Sequence, residues 1–355
     1  MTRSDFAFDL PPELIAQEPP AARGESRLLR LNRSTGSLTD HRFTELPTLL
    51  RPGDLLVVNN TRVFPARLLG TRLPGGGAAE CLLVRRLEPA GADDTGNEVW
   101  EALVHPGQRL KEGSRLEFAL GGDRLHGEIL SRRFHGRRSL RLWTDGPAVR
   151  EVVDRIGHVP LPPYIKRGDT ADDRDRYQTV YAQARGSIAA PTAGLHFTPK
   201  LLEALHARAI ELTAVTLHVG YGTFQPIRVA RLDEHQMASE QFDVSAAAAA
   251  TINAARASGR RVIAVGTTTT RTLESVPLDA EGRVVPGSGG TELFIRPGHE
   301  FRVVNGLITN FHLPESSLLV LVSAFAGRER VLDSYRHAVA NRYRFYSYGD
   351  ANLIL

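Results

Sequence analysis

The chain has 355 residues, 42% of them hydrophobic and 24% charged, with a formal net charge of +4 and a single cysteine. That length exceeds the usual single domain and predicts two domains, or one carrying a large insertion. The lone Cys81 excludes a disulfide framework or a CxxC metal pair, and the longest apolar run, Leu318 to Phe325, is far short of the about 20 residues a membrane helix needs.

Met1 to Glu18 interleaves acidic residues and prolines with apolar ones, so it does not read as a signal peptide, and a cytoplasmic protein is expected. Residues 55 to 60 (LLVVNN) form an apolar run of buried-strand length, followed by Thr61 and Arg62. From residue 63 to 149 the texture changes to short alternating segments: FPARLLG, ECLLVRRL, VWEALV, RLEFAL, LHGEIL and SLRLW. Turns rich in Gly, Pro and Asp separate them. This period-two patterning predicts a small antiparallel β-barrel or sandwich, inserted into an α/β domain made of residues 1–62 and 150–355. Cys81 lies in CLLV and reads as a buried structural thiol. Between Arg115 and Trp143, seven arginines stand against three carboxylates, an excess as large as that of the whole chain. The cluster RRFHGRR within it, carrying Arg132, Arg133, Arg137 and Arg138, suits a phosphate backbone and equally a solvated hairpin tip.

After residue 150, HVPLPPYIKRGD reads as a proline-stiffened connection. RGSIAAPTAGLHFT (185–198) reads as an apolar strand, Ile188 to Ala190, that meets Pro191. It then presents Thr192, Gly194 and His196 in a turn before a helix capped at Thr198-Pro199. Ala214 to Val219 runs into GYGTF, and Ser245 opens an alanine-rich helix ending at Gly259. Val262 to Val265 runs into GTTTTRTLE, and Leu307 to Asn310 into FHLP. Helices are expected from about residue 315 to 325 and from about 328 to 341. Apolar strands that end in polar turns and lead into helices predict a mixed or mostly parallel sheet. Its ligand crevice lies beyond the strands' carboxyl ends.

Those turns carry the candidate chemistry. The start of GTTTTRTLE offers Thr267, Thr268, free helix N–H groups and Arg271 to a carboxylate or phosphate, without the GK[ST] ending of a Walker loop. Gly220 and Gly222 allow close approach of a flat ligand, and His218 and Tyr221 suit a purine-like base. TNFHLPESS contributes Asn310 and His312, and EHQMASE contributes His235 and Glu240. No HExxH or tight His/Cys/Asp spacing points to a metal, and no GxSxG elbow to a serine nucleophile. Acid–base transfer chemistry on a polar metabolite is what remains.

The segments FDLPPELIAQEP, GDLLVVNNTRVFPARL, GSIAAPTAGLHFT, LHVGYGTFQPI, VIAVGTTTTRTLES, TNFHLPESSLLVLVSAFAG and YRFYSYGDANLIL together resemble, in order and from end to end, the S-adenosylmethionine:tRNA ribosyltransferase-isomerase family of queuosine biosynthesis. HQMASE departs from that family's His-x-Met-His-Ser-Glu by carrying Ala238. The resemblance implies an α/β domain with an inserted β-barrel. It also implies transfer and isomerisation of the ribosyl part of S-adenosylmethionine onto 7-aminomethyl-7-deazaguanine at the tRNA wobble position, giving epoxyqueuosine, adenine and methionine. S-adenosylmethionine is then a consumed substrate rather than a cofactor, tRNA is the partner, and a monomer without a membrane partner is expected.

For that reaction, a base must remove a hydrogen made acidic by the neighbouring sulfonium. His196, His218 and Glu240 are the candidates, with His312 assisting adenine departure. Thr192, Gly194, Gly220, Tyr221, Gly222, Thr267, Thr268 and Asn310 are expected to line the substrate, with Arg271 on the methionine carboxylate. Arg62, Arg67, Arg132, Arg133, Arg137 and Arg138 are expected on tRNA phosphates. Two other readings compete. A non-catalytic RNA-binding protein accounts for the basic charge but leaves the convergent turns unexplained. An S-adenosylmethionine-dependent methyltransferase calls for a GxG-type turn after its first strand, and LLVVNNTR has none.

Overall fold

A computed structural model describes residues 1–87, 96–133, 136–220 and 226–355. The chain opens with β1 (Arg27–Leu31), β2 (Leu38–Arg42), the one-turn helix α1 (Leu46–Leu49) and the fully buried β3 (Leu55–Asn59). After β4 (Thr61–Val63) come β5 (Arg67–Leu73), β6 (Ala78–Leu87), β7 (Glu98–His105), β8 (Arg115–Leu120), β9 (Asp123–Arg132) and β10 (Arg137–Trp143). These six antiparallel strands close into a barrel in the order β10-β7-β6-β5-β8-β9. The six alternating segments of the sequence are its six strands. Alternation places Leu68, Cys81, Leu83, Leu116, Phe118, Leu125 and Leu140 inside, and burial pushes the Cys81 thiol up to about 12. Helix α2 (Val149–Ile156) lays Val149, Val152, Val153 and Ile156 against the same core.

The chain returns through α3 (Asp173–Arg176) and β11 (Ala184–Ser187) to the larger layer. There follow α4 (Pro199–Ala207), β12 (Glu211–Leu217), β13 (Glu240–Val244), α5 (Ala246–Ala257), β14 (Val262–Val265), α6 (Thr267–Ser275), β15 (Gly287–Thr291), β16 (Gly306–Asn310), α7 (Ser317–Ala326), α8 (Arg328–Ala340) and β17 (Ala351–Ile354). Among the described residues the sheet has nine strands in the order β15-β13-β12-β3-β14-β16-β17-β1-β2. β12, β3, β14 and β16 run parallel, so Leu217, Asn59, Val265 and Asn310 end on one rim. β3 is buried on both faces, as a central parallel strand must be. Leu55 and Val57 pack with α5 through Ile252 and Ala255, while Leu56 and Val58 pack with α4 through Leu201 and Leu205.

The predicted helices form where their caps are. Thr198 accepts a hydrogen bond from the Leu201 N–H (3.1 Å) and Ser245 one from the Ala248 N–H (3.2 Å), each closing a helix start. One expected strand is absent: Ile188 to Ala190 is an irregular buried segment. The strand lies just before it, where β11 pairs in parallel with β4 as a separate two-stranded ribbon. The run is buried because it is wedged between the barrel and the sheet, with the Ile188 N–H donating to the Val219 carbonyl (3.2 Å). Apolar character recorded its burial and not its geometry. Among the described residues no helix is long and apolar enough to cross a membrane.

Candidate active site

The ribbon β4–β11 carries the chain between barrel and sheet, and a cavity of about 480 Å³ opens at that seam. Its size is in the usual range of small-molecule sites. One wall belongs to the sheet and its approaches: Arg185, Gly186, His218, Val219, Gly220 and the strand entry Ala238 to Gln241. The facing wall belongs to the barrel: Val84, Arg85, Arg86, Glu98, Trp100, Glu101 and Arg137, with Phe64 and Arg150 at the join. Ala238, the departure from the family's usual histidine, is therefore a cavity residue.

His218 stands one residue past β12. Its Nδ1 lies 2.8 Å from the Thr61 hydroxyl, and that hydroxyl donates to the Ala184 carbonyl at 3.4 Å. With the Thr61 proton directed to the carbonyl, Nδ1–H donates to Thr61 and Nε2 carries the lone pair. Burial lowers the His218 pKa, so the neutral ring is favoured. The ring lies against Gly186, where a Cβ would stand 2.6 Å from it; only glycine leaves the imidazole this place.

Glu240 begins β13 and is almost fully buried. Its Oε1 accepts the Gly220 N–H (2.9 Å) and its Oε2 is ion-paired with the equally buried Arg271. Arg271 also donates to the Leu293 and Thr291 carbonyls. It sits behind Glu240 rather than on the cavity wall, so the expected contact with a methionine carboxylate has no support in the geometry.

The remaining predicted groups fall elsewhere. Thr192, Thr267, Thr268, Asn310 and His312 line a second, small cavity of about 40 Å³ at the strand ends, and Val219 is the wall it shares with the first. Gly266, at φ 94°, turns β14 directly into α6 there, and Asn310 Oδ1 is buried with no hydrogen-bond partner among the described residues. His312 is buried, with Nε2 on the Thr309 hydroxyl (2.8 Å), and burial holds its pKa down to about 3. His196 is held at about 3 in the same way, between the Ser26 hydroxyl (2.8 Å) and the Asn310 amide (3.2 Å), with its ring on Phe43. It borders a third pocket, away from His218. Gly194 is filled over by Tyr181, whose hydroxyl would be 2.2 Å from an added Cβ, so it serves packing. Tyr221 and Gly222 lie outside the described residues.

Of the arginines assigned to phosphate, Arg138 is corrected. It is buried and donates to the Leu110, Gly136, Arg137 and Gly107 carbonyls, tying down the end of the barrel. Arg67 forms a two-point ion pair with Glu80 (2.8 and 3.1 Å). Arg62, Arg132 and Arg133 are exposed, and Arg137 lines the large cavity beside Glu101. Of the barrel wall the sequence reading named only Arg137. Trp100 and Glu101 appear there only as part of a strand, and barrel closure is what brings them opposite His218.

Among the described residues no group of three or more His, Cys, Asp or Glu side chains could hold a metal ion. Residues 3–354 match the family described as queuosine biosynthesis protein. Relatives named S-adenosylmethionine:tRNA ribosyltransferase-isomerase include one from Symbiobacterium thermophilum, 50% identical over 355 residues and all of both chains. Another, from Moorella thermoacetica, is 51% identical over 356 residues, again covering both chains completely. A crystal structure of S-adenosylmethionine tRNA ribosyltransferase from Thermotoga maritima is similar with a TM-score of 0.55 and 37% identity, covering 99% of this chain and 100% of that one. A family match along nearly the entire length, relatives at half identity and a shared α/β-plus-barrel architecture place the chain in the queuosine biosynthesis protein family.

Proposed function

We propose that the protein is an S-adenosylmethionine:tRNA ribosyltransferase-isomerase. It would move the ribosyl group of S-adenosylmethionine onto the aminomethyl arm of 7-aminomethyl-7-deazaguanine in tRNA, releasing adenine and methionine. The observation that carries the reading is the seam cavity, with a neutral His218 and a clamped Glu240 on one wall and arginines around its rim. A sulfonium withdraws electrons from the carbon beside it, so its C–H becomes acidic enough for a well-placed base. His218 Nε2 is the base in this reading, with Thr61 fixing the tautomer. Glu240, buried beside it, supplies negative charge to a cationic substrate. Arg62, Arg86 and Arg150 are exposed at the seam and hold phosphates flanking the modified nucleotide. S-adenosylmethionine is spent in each turnover, so no resident cofactor is called for.

The test supplies S-adenosylmethionine and tRNA bearing the deazaguanine base to the purified protein and identifies the small products. Adenine with methionine is the expected result. S-adenosylhomocysteine instead would make the protein a methyltransferase, and tRNA binding without turnover would make it a binding protein.

A further inference from the structure

The two walls of the seam cavity differ in chemistry, and the difference orients the nucleobase. In β6 the register slips between Leu83 and Arg85, a bulge that breaks the in-and-out alternation. Val84, Arg85 and Arg86 line the cavity in succession, and across the ladder so do the consecutive residues Trp100 and Glu101. The indole is fixed. Its Nε1 donates to Glu98 (2.8 Å), and its ring packs on Phe64 at 5.6 Å. The Glu101 side chain is only 9% exposed, held between Arg137 (3.3 Å) and Arg85 (3.6 Å). A carboxylate has about four lone-pair sites, and the Arg137 hydrogen bond fills one of them. Glu101 thus presents acceptors to the cavity beside a rigid aromatic surface, and two guanidiniums offset the cost of burying its charge.

We propose that this barrel wall reads the nucleobase: Trp100 is the stacking surface, and Glu101 accepts the N1–H and 2-amino protons of a guanine-type base. The inference rests on the function proposed above. Those two donors lie side by side and point the same way, matching the two oxygens of one carboxylate. Base–aromatic stacking with edge hydrogen bonding is how unpaired bases are commonly held. The Watson–Crick edge of a 7-deazaguanine is also opposite the carbon that bears the aminomethyl arm. Docking that edge on Glu101 directs the arm across the cavity, toward His218 and Glu240. Glu240 is the wrong carboxylate for the edge, because it stands on the same wall as His218, and an edge docked there would point the arm away from both.

The test compares two tRNA substrates, one with the 7-aminomethyl-7-deazaguanine base and one with the same base lacking its 2-amino group. Wild-type protein is expected to prefer the first by about tenfold or more in kcat/KM, the usual scale of one good bidentate contact. In Glu101→Gln that preference should shrink to within about threefold of unity. Both substrates meet the same preparation, so the ratio does not depend on how much of the variant folds. Equal losses on both substrates, with the preference intact, would make Glu101 a structural residue and overturn the inference while leaving the enzyme reading in place. A wild-type protein that turns over neither tRNA would remove the enzyme reading itself and this inference with it. Stacking is read separately. The chain has two tryptophans, so in Trp143→Phe the remaining indole is Trp100. Saturable quenching by substrate tRNA is expected, and fluorescence indifferent to tRNA overturns the stacking role.

Discussion

Two buried histidines, His196 and His312, and the half-buried His218 sit near the strand ends, and what separates His196 from His218 is the use of the second nitrogen. His196 has a partner on each nitrogen, whereas His218 has Thr61 on Nδ1 and the cavity before it. Replacing His218 by Gln is expected to slow adenine release by about 10²- to 10⁴-fold, the range for loss of a general base. Near-normal single-turnover rates would remove it from that role. Thr61→Val takes away the group that sets the tautomer and should lower kcat more than it raises the KM for S-adenosylmethionine. Because burial lowers the His218 pKa from 6.5, the base stays neutral through that pH, and the acid limb of the rate should lie below it. His196 and His312 give the opposite signature, in stability. Folded, both titrate at about 3, while unfolded they titrate near 6.5. Between those values the unfolded chain binds more protons, so stability falls as the pH drops below 6.5. At pH 5 the loss is about 2 kcal/mol for each ring. Urea melts at pH 7 and pH 5 should show it, and the double variant His196→Gln/His312→Gln should flatten the difference.

At the scale of elements, the Glu240–Arg271 pair joins β13 to α6 with both side chains buried. Arg271→Met strands a buried carboxylate and is expected to cost about 3–5 kcal/mol, whereas adding Glu240→Gln should restore part of the loss. Strictly additive losses in chemical denaturation would falsify the coupling. Elements marked by periodicity or caps were legible: the barrel strands by alternation, α4 and α5 by Thr198 and Ser245, and β14 by Val262 to Val265. β15 was not, because GSGGT has almost no side chains to carry a pattern. It pairs through its backbone, and the Phe242 ring packs over Gly289, where a Cβ would be 2.9 Å away. The sheet wall of the site was legible, since His218, Gly220 and Glu240 adjoin strand ends. The barrel wall was not. Trp100 and Glu101 are more than 100 positions from His218 in the chain, and nothing local in VWEALV announces the bulge opposite that turns both toward the seam.

For the whole molecule, the rim of the seam sets how a polyanion approaches. Neutralising Arg62, Arg86 and Arg150 together to Gln should flatten the slope of log K against log salt by about 2, at roughly 0.7 per phosphate contact in single-stranded RNA. Neutralising Arg138 should leave the slope alone and lower the melting temperature, since its donors are spent on carbonyls. The sheet has its own asymmetry in time. β17, formed by Ala351–Ile354, lies between β16 and β1, pairing antiparallel with one and parallel with the other. During synthesis the barrel strands emerge consecutively and can close while the ribosome is still translating. The sheet cannot: β1 leaves the ribosome early and waits, beside a vacant lane, for a strand made more than 300 residues later. A ribosome-stalled chain should therefore show a protease-resistant barrel and a cleavable sheet until β17 is released, and the seam, one wall of which is the sheet, is finished only at that moment.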